Sequence, residues 1–165
     1  MATGPGETGR LTTCLWFDGR AEEAANHYVS IFKDASLGGV MRTTGAHDGP
    51  PGEVLTVEFE INGQKFLGLN GGPVFTFSEA VSFMIHCEDQ DEVDYYWYRL
   101  IEGGGEESQC GWLKDKFGVS WQVIPAGMYE LVGDADPVKA ERATRAMFSM
   151  RKLDIAELRR AHAGA

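Results

Sequence analysis

Polar and apolar residues alternate through Val54 to Ile61, where Leu55, Val57, Phe59 and Ile61 share one parity. A period of two predicts a strand with one buried face. Asn62-Gly63 follows, a dipeptide suited to the positive φ of a tight hairpin, so Gln64 to Asn70 is the predicted partner strand. Before them, Leu11 to Phe17 is short, apolar and β-favouring, and Asp18-Gly19 ends it. From Arg20 to Lys33 the period changes. Ala24, Tyr28, Ile31 and Phe32 fall on one face of a helix, with Glu22 and Glu23 in the first turn where the helix dipole favours them. Leu37 to Thr44 reads as a further strand. The run from His47 to Gly52, with two prolines and two glycines, reads as a loop.

The same order then recurs. Ala80 to Cys87 is a predicted strand and Asp91 to Ile101 a predicted helix. Its apolar face (Val93, Trp97, Leu100, Ile101) repeats that of the first helix 69 residues later. Gly103-Gly104-Gly105 stops it. Short strands are expected around Glu107 to Ser108, Gly111 to Lys116 and Val119 to Ile124. Each half thus reads strand, helix, three strands. The expected fold class is α+β, with modules over residues 11–73 and 74–133. Asp136-Pro137 and Asp154 open two further helices, one to about Met150 and one to about His162, in a helical extension over 134–165. The Gly- and Pro-containing residues 1–10 read as a disordered tail without the basic start and apolar run of a leader.

Charge and composition narrow the function. The chain has 165 residues and a net charge of −10. An acidic protein lacks the basic face that displaces counterions from nucleic acid, and it does not suit an anionic membrane. No apolar run is long enough to span a bilayer. Cys14, Cys87 and Cys110 are odd in number and widely spaced, which fits reduced thiols in a cytoplasmic protein rather than disulfides or zinc. Residues 134–165 carry seven basic and five acidic side chains, against eight and twenty elsewhere. That segment reads either as a solvated face or as an arm docked on an acidic body, its own or a partner's.

No phosphate loop, GxSxG or HExxH is present, and no glycine-rich turn links a strand to a helix. The aromatic residues are more telling. Trp16, Phe83, Trp112 and Trp121 fall on or beside strands, where a curved sheet can enclose a flat or apolar small molecule. Asn70 and Gln122 close matching strands and are candidates for orienting it. Cys110, beside Gly111, and His86, on a strand, are candidates for thiol or proton chemistry.

Several motifs occur in order: Leu15-Trp16-Phe17-Asp18-Gly19 with Ala21-Glu22-Glu23-Ala24, Asn70-Gly71-Gly72-Pro73, Val81-Ser82-Phe83 with Cys87-Glu88-Asp89, and Cys110-Gly111-Trp112-Leu113-Lys114-Asp115-Lys116-Phe117-Gly118-Val119-Ser120-Trp121-Gln122 before Pro125. With them the chain resembles the PhnB-like proteins of the glyoxalase/bleomycin-resistance/dioxygenase (vicinal oxygen chelate) superfamily, often catalogued as demethylubiquinone methyltransferase-like. The resemblance implies paired βαβββ modules, each a curved sheet around a cavity, commonly in a homodimer. It also implies a divalent metal in the superfamily's enzymes, held by His and Glu on the first and last strands of each module. This chain departs from that pattern. Gln122 stands where the metal-binding relatives place Glu, and the first strands offer Thr12-Thr13-Cys14 and Ser82-Phe83-Met84. The expectation is a metal-free protein without a cofactor that binds a small organic ligand. The alternative is an enzyme acting on a small aromatic or carbonyl compound.

Overall fold

A computed structural model of the chain describes residues 11–47 and 49–165; the tail expected over residues 1–10 lies outside them. The fold is α+β. The chain divides into a unit ending at Phe77 and a unit spanning Ser78–Ala165.

The first unit contains β1 (Thr13–Phe17), α1 (Ala21–Ile31), β2 (Ala35–Arg42), β3 (Val54–Ile61) and β4 (Gln64–Asn70). Its sheet has the order β1-β4-β3-β2. β1 runs parallel to β4, while β4 with β3 and β3 with β2 are antiparallel. The register places Leu15, Gly68 and Val57 in one row and Phe66 and Phe59 in the next, all on one face. Helix α1 covers that face with Ala24, Tyr28 and Ile31, and Tyr28 meets the Phe59 ring at 5.8 Å. A side chain at Gly68 would begin 3.2 Å from Cβ of Ala21, so the helix approaches β4 as closely as it does because residue 68 has none.

The second unit repeats this order with β5 (Phe83–Cys87), α2 (Gln90–Ile101), β6 (Glu106–Glu107), β7 (Trp112–Lys114) and β8 (Ser120–Pro125). Its sheet has the order β5-β8-β7-β6, again with one parallel pair, β5 with β8. Asp89 caps α2 by accepting from the Glu92 amide at 2.9 Å, and Glu92 reaches back to the Glu88 amide at 3.0 Å. Val93, Trp97 and Leu100 of α2 are buried against the sheet, where each large apolar side chain contributes about 1.5–3 kcal/mol.

The strand expected from Ala80 begins only at Phe83, because residues 80–82 find no ladder partner. A short helix, α3 (Met128–Val132), follows β8 where no element was expected. It lacks an N-cap side chain and is only five residues long, so neither capping nor periodicity announces it. The remaining helices are α4 (Pro137–Ser149) and α5 (Ile155–Ala163), capped by Asp136 and Asp154. They pack on their own chain: Leu153 and Leu158 form a small second core with Ile124 and Met128. Two ion pairs join the basic segment to the acidic body of its own unit, Lys152 with Asp94 at 2.6 Å and Arg151 with Glu107 at 3.6 Å. Among the described residues no helix is long and apolar enough to cross a membrane.

Candidate functional site

Each sheet has a helix-covered face and an open face, and the register decides which side chain belongs to which. In the second unit Leu113, Trp121 and Phe83 form one row across β7, β8 and β5. This is the helix side: Leu113 pairs with Glu107, whose carboxylate accepts from the Trp97 indole of α2 at 2.9 Å. Trp121 is 3% exposed, meets the tilted Phe83 ring at 5.3 Å and donates its indole N–H to Asp115 at 2.9 Å. Asp115 is itself buried and also accepts from the amides of Phe117 and Val119. Trp121 is thus a core residue that anchors the loop at Asp115, with half-buried Phe83 beside it on the same face. A one-residue change of parity reverses the face.

The opposite parity forms the open face: Met84 and His86 on β5, Trp112 and Lys114 on β7, Ser120 and Gln122 on β8. Trp112 lies directly opposite Gln122, so these two expected site residues share one location. Gln122 donates from Nε2 to Ser82 Oγ at 2.9 Å, which fixes its amide. His86 is exposed, opposite Ile124. Beyond Trp112 the face deepens into an open pocket of about 120 Å³, walled in part by Glu79, Glu106, Glu107, Trp112, Lys114 and Ser120. Lys114 forms an ion pair with Glu79, which holds the Glu79 carboxyl below its ordinary range and the ammonium above its own. Glu106 is cross-strand from Lys114. Of these, only Trp112 is a site candidate in the sequence. The available signal is parity, since Lys114 and Ser120 alternate with Leu113 and Trp121 once the β7–β8 register is known.

In the first unit Trp16 takes the open-face parity together with Cys14 and Leu67. Its indole donates to the Gly72 carbonyl at 2.8 Å and meets the edge of Phe75 at 5.0 Å. A Cβ on Gly71 would lie 2.2 Å from the indole, so only glycine lets the chain cross there. Asn70 has the helix-side parity. Its Oδ1 accepts from the Ala21 amide and its Nδ2 donates to the Val54 carbonyl, both at 2.9 Å. It serves as the missing N-cap of α1, whose own Arg20 provides no side-chain cap. Both ends of its amide are engaged in holding α1 and β3 to β4.

Cys110 occupies the turn before β7 at a φ of 58° and donates its backbone N–H to Met150. Burial pushes its thiol up, away from the thiolate form that reacts, and does the same to Cys14. The Cys87 thiol, deeper still, is pushed up to about 12 by burial, with Glu92 and Asp89 adding to the rise.

A divalent metal held between first and last strands would meet Cys14 and Leu67 in one sheet and Met84 and Gln122 in the other, since these pairs are opposite in register. A protonated thiol, an aliphatic chain, a thioether and an amide do not suit a hard or borderline cation, which needs carboxylate or imidazole to replace its water. Among the described residues no three His, Cys, Asp or Glu side chains converge on a metal position.

Residues 9–124 match the family described as 3-demethylubiquinone-9 3-methyltransferase. Among solved structures, a Bacillus cereus PhnB protein assigned as a 3-demethylubiquinone-9 3-methyltransferase is 34% identical, with a TM-score of 0.65 over 72% of this chain and 100% of that one. The protein PA1353 of Pseudomonas aeruginosa shares the fold at 18% identity, with a TM-score of 0.57 over 70% of this chain and 96% of its own. A comparison with curated proteins finds no match.

Proposed function

The chain belongs to the PhnB-like family of the glyoxalase/bleomycin-resistance superfamily, and from that premise we propose that it is a cytoplasmic, homodimeric protein that binds a small organic molecule on the open sheet faces without a metal. One observation carries the reading. The open face of the second sheet places Trp112 against a fixed amide, Gln122, at the mouth of a pocket. An apolar plate with a few oriented polar groups is the usual composition of a small-molecule site. Trp16, on the open face of the first sheet, is the corresponding aromatic there. The candidate contacts are Trp112 and Gln122 on the open face of the second sheet and, separately, Trp16 on the open face of the first, while Phe83, Trp121 and Asn70 take the helix-side parity of their own sheets.

Methyl transfer, which the family description names, finds little support in this chain. A methyl-donor nucleotide is commonly cradled by a glycine-rich strand-to-helix turn. Here those turns read Asp18-Gly19-Arg20 and Glu88-Asp89, and Asp89 already caps α2. Thiol chemistry at Cys110 is disfavoured by its raised pKa.

Native mass spectrometry of the freshly purified protein, followed by a fragment screen reading the indole signals of Trp16 and Trp112, tests the proposal. A retained organic mass, or fragments that shift either indole, supports it. A metal retained in stoichiometric amount and removed by EDTA overturns it. So does a bare protein whose indoles respond to no fragment.

A further inference from the structure

The pocket beside Trp112 contains a group that the fold leaves unused. Ser120 is 2% exposed, and its Oγ is buried with no hydrogen-bond partner. A buried hydroxyl without a partner is costly, so its retention asks for an occupant that completes it. Ser120 pairs with Lys114 across β7 and β8, and its parity directs it to the open face, where it walls the pocket.

The charges around it give that occupant a sign. Three carboxylates, Glu79, Glu106 and Glu107, and one ammonium, Lys114, wall the pocket. Lys114 is already held by Glu79. Glu107 is turned to the helix side, where Trp97 and Arg151 engage it. Glu106 shares the open-face parity of Lys114. An anion entering here would face Glu106 while Lys114 is already held by Glu79, inside a chain of net charge −10. A cation would meet Glu106, the Trp112 ring and a hydroxyl oxygen ready to accept.

Resting on the open-face binding proposed above, we propose that this pocket takes the ammonium end of a small organic amine. The ammonium hydrogen-bonds Ser120 Oγ, is neutralised by Glu106, and its carbon skeleton lies on Trp112. A volume of about 120 Å³ admits a headgroup or a small ring, not a large polycation.

Three compounds of one shape test this: benzylammonium, benzyl alcohol and benzoate, each titrated at neutral pH and low salt while the Trp112 indole signal is followed. Benzylammonium is expected to bind about fivefold or more tightly than benzyl alcohol, and benzoate least. Glu106→Gln should remove the preference for the cation. Ser120→Ala should weaken benzylammonium several-fold, yet raise the melting temperature of the free protein by about 2–4 °C, because an unsatisfied group is removed. Benzoate or benzyl alcohol binding as tightly as benzylammonium overturns the amine assignment and leaves the open-face reading standing. Glu106→Gln without effect, or a Ser120→Ala protein that melts lower, overturns it as well. If none of the three compounds moves the Trp112 signal, the amine assignment falls, while the open-face reading is decided by the retained mass and the fragment screen at both indoles.

Discussion

Asn70 shows how one side chain can look like part of a site and act as a joint. Its amide supplies the first hydrogen bond of α1 and fastens the start of β3. Asn70→Ala should therefore destabilise the protein by about 1–3 kcal/mol in urea titrations while leaving ligand-induced shifts of Trp112 intact. The two tryptophans separate in the same way. Trp121 is enclosed and hydrogen-bonded to buried Asp115, whereas Trp112 sits half-buried on the open face. Trp121→Ala is expected to cost about 3–5 kcal/mol, and Trp112→Ala less than about 1.5 kcal/mol. Equal losses in denaturation experiments would contradict the assignment of the two faces. The sequence named both tryptophans because their chemistry is the same, and only their parity in the sheet tells them apart.

At the scale of elements, the C-terminal helices are fastened to α2 by polar contacts as well as by their apolar core. Gln90 at the start of α2 donates to the Leu153 carbonyl at 3.0 Å and accepts from the Ile155 amide at 3.1 Å. Lys152 bonds Asp94, and that hydrogen bond holds the Asp94 carboxyl below its ordinary value. A carboxyl depressed in the folded state stabilises the protein above its unfolded pKa of about 4, and that contribution is lost as the pH falls through the folded value. The side chains are 41% and 26% exposed, so solvent screening keeps the effect to roughly 0.5–1 kcal/mol. Asp94→Asn should lower stability by that amount at neutral pH, and the difference from the parent should vanish in acid once the pH has fallen through the depressed folded value. A gap independent of pH would show that the ion pair is not its source. The basic composition of residues 134–165 pointed to docking on an acidic body. Whether that body was its own or a partner's required the fold.

For the whole molecule, two outcomes follow from the chemistry of the open faces and the proposed assembly. Zn²⁺, Ni²⁺, Mn²⁺ and EDTA should leave the melting temperature unchanged, because Cys14, Leu67, Met84 and Gln122 offer no carboxylate or imidazole. A metal bound at a hundred times its dissociation constant would add about 2.7 kcal/mol, so thermal melts detect it readily. The proposed homodimer should sediment at twice the 18.1 kDa of the chain at micromolar concentration. A single species at 18.1 kDa would remove that proposal.

The repeat, the order of elements and the fold class were legible in the sequence, because alternation, helical period and turn chemistry are local. Val54–Ile61 and Gln64–Asn70 begin and end where alternation and Asn62-Gly63 put them. The caps of α4 and α5 are the aspartates that the sequence marked. That Gln122 stands where the resemblance would place a metal-binding Glu was visible in one motif. What the tertiary structure alone decided is which parity of each strand faces a helix. A side chain's face depends on register with a neighbouring strand, and β1 meets β4 across residues 18–63, and β5 meets β8 across residues 88–119. That register puts Phe83, Trp121 and Asn70 on helix-covered faces and Trp16, Trp112 and Gln122 on open faces, and it brings Glu106, Lys114 and the unsatisfied Ser120 hydroxyl together around one pocket.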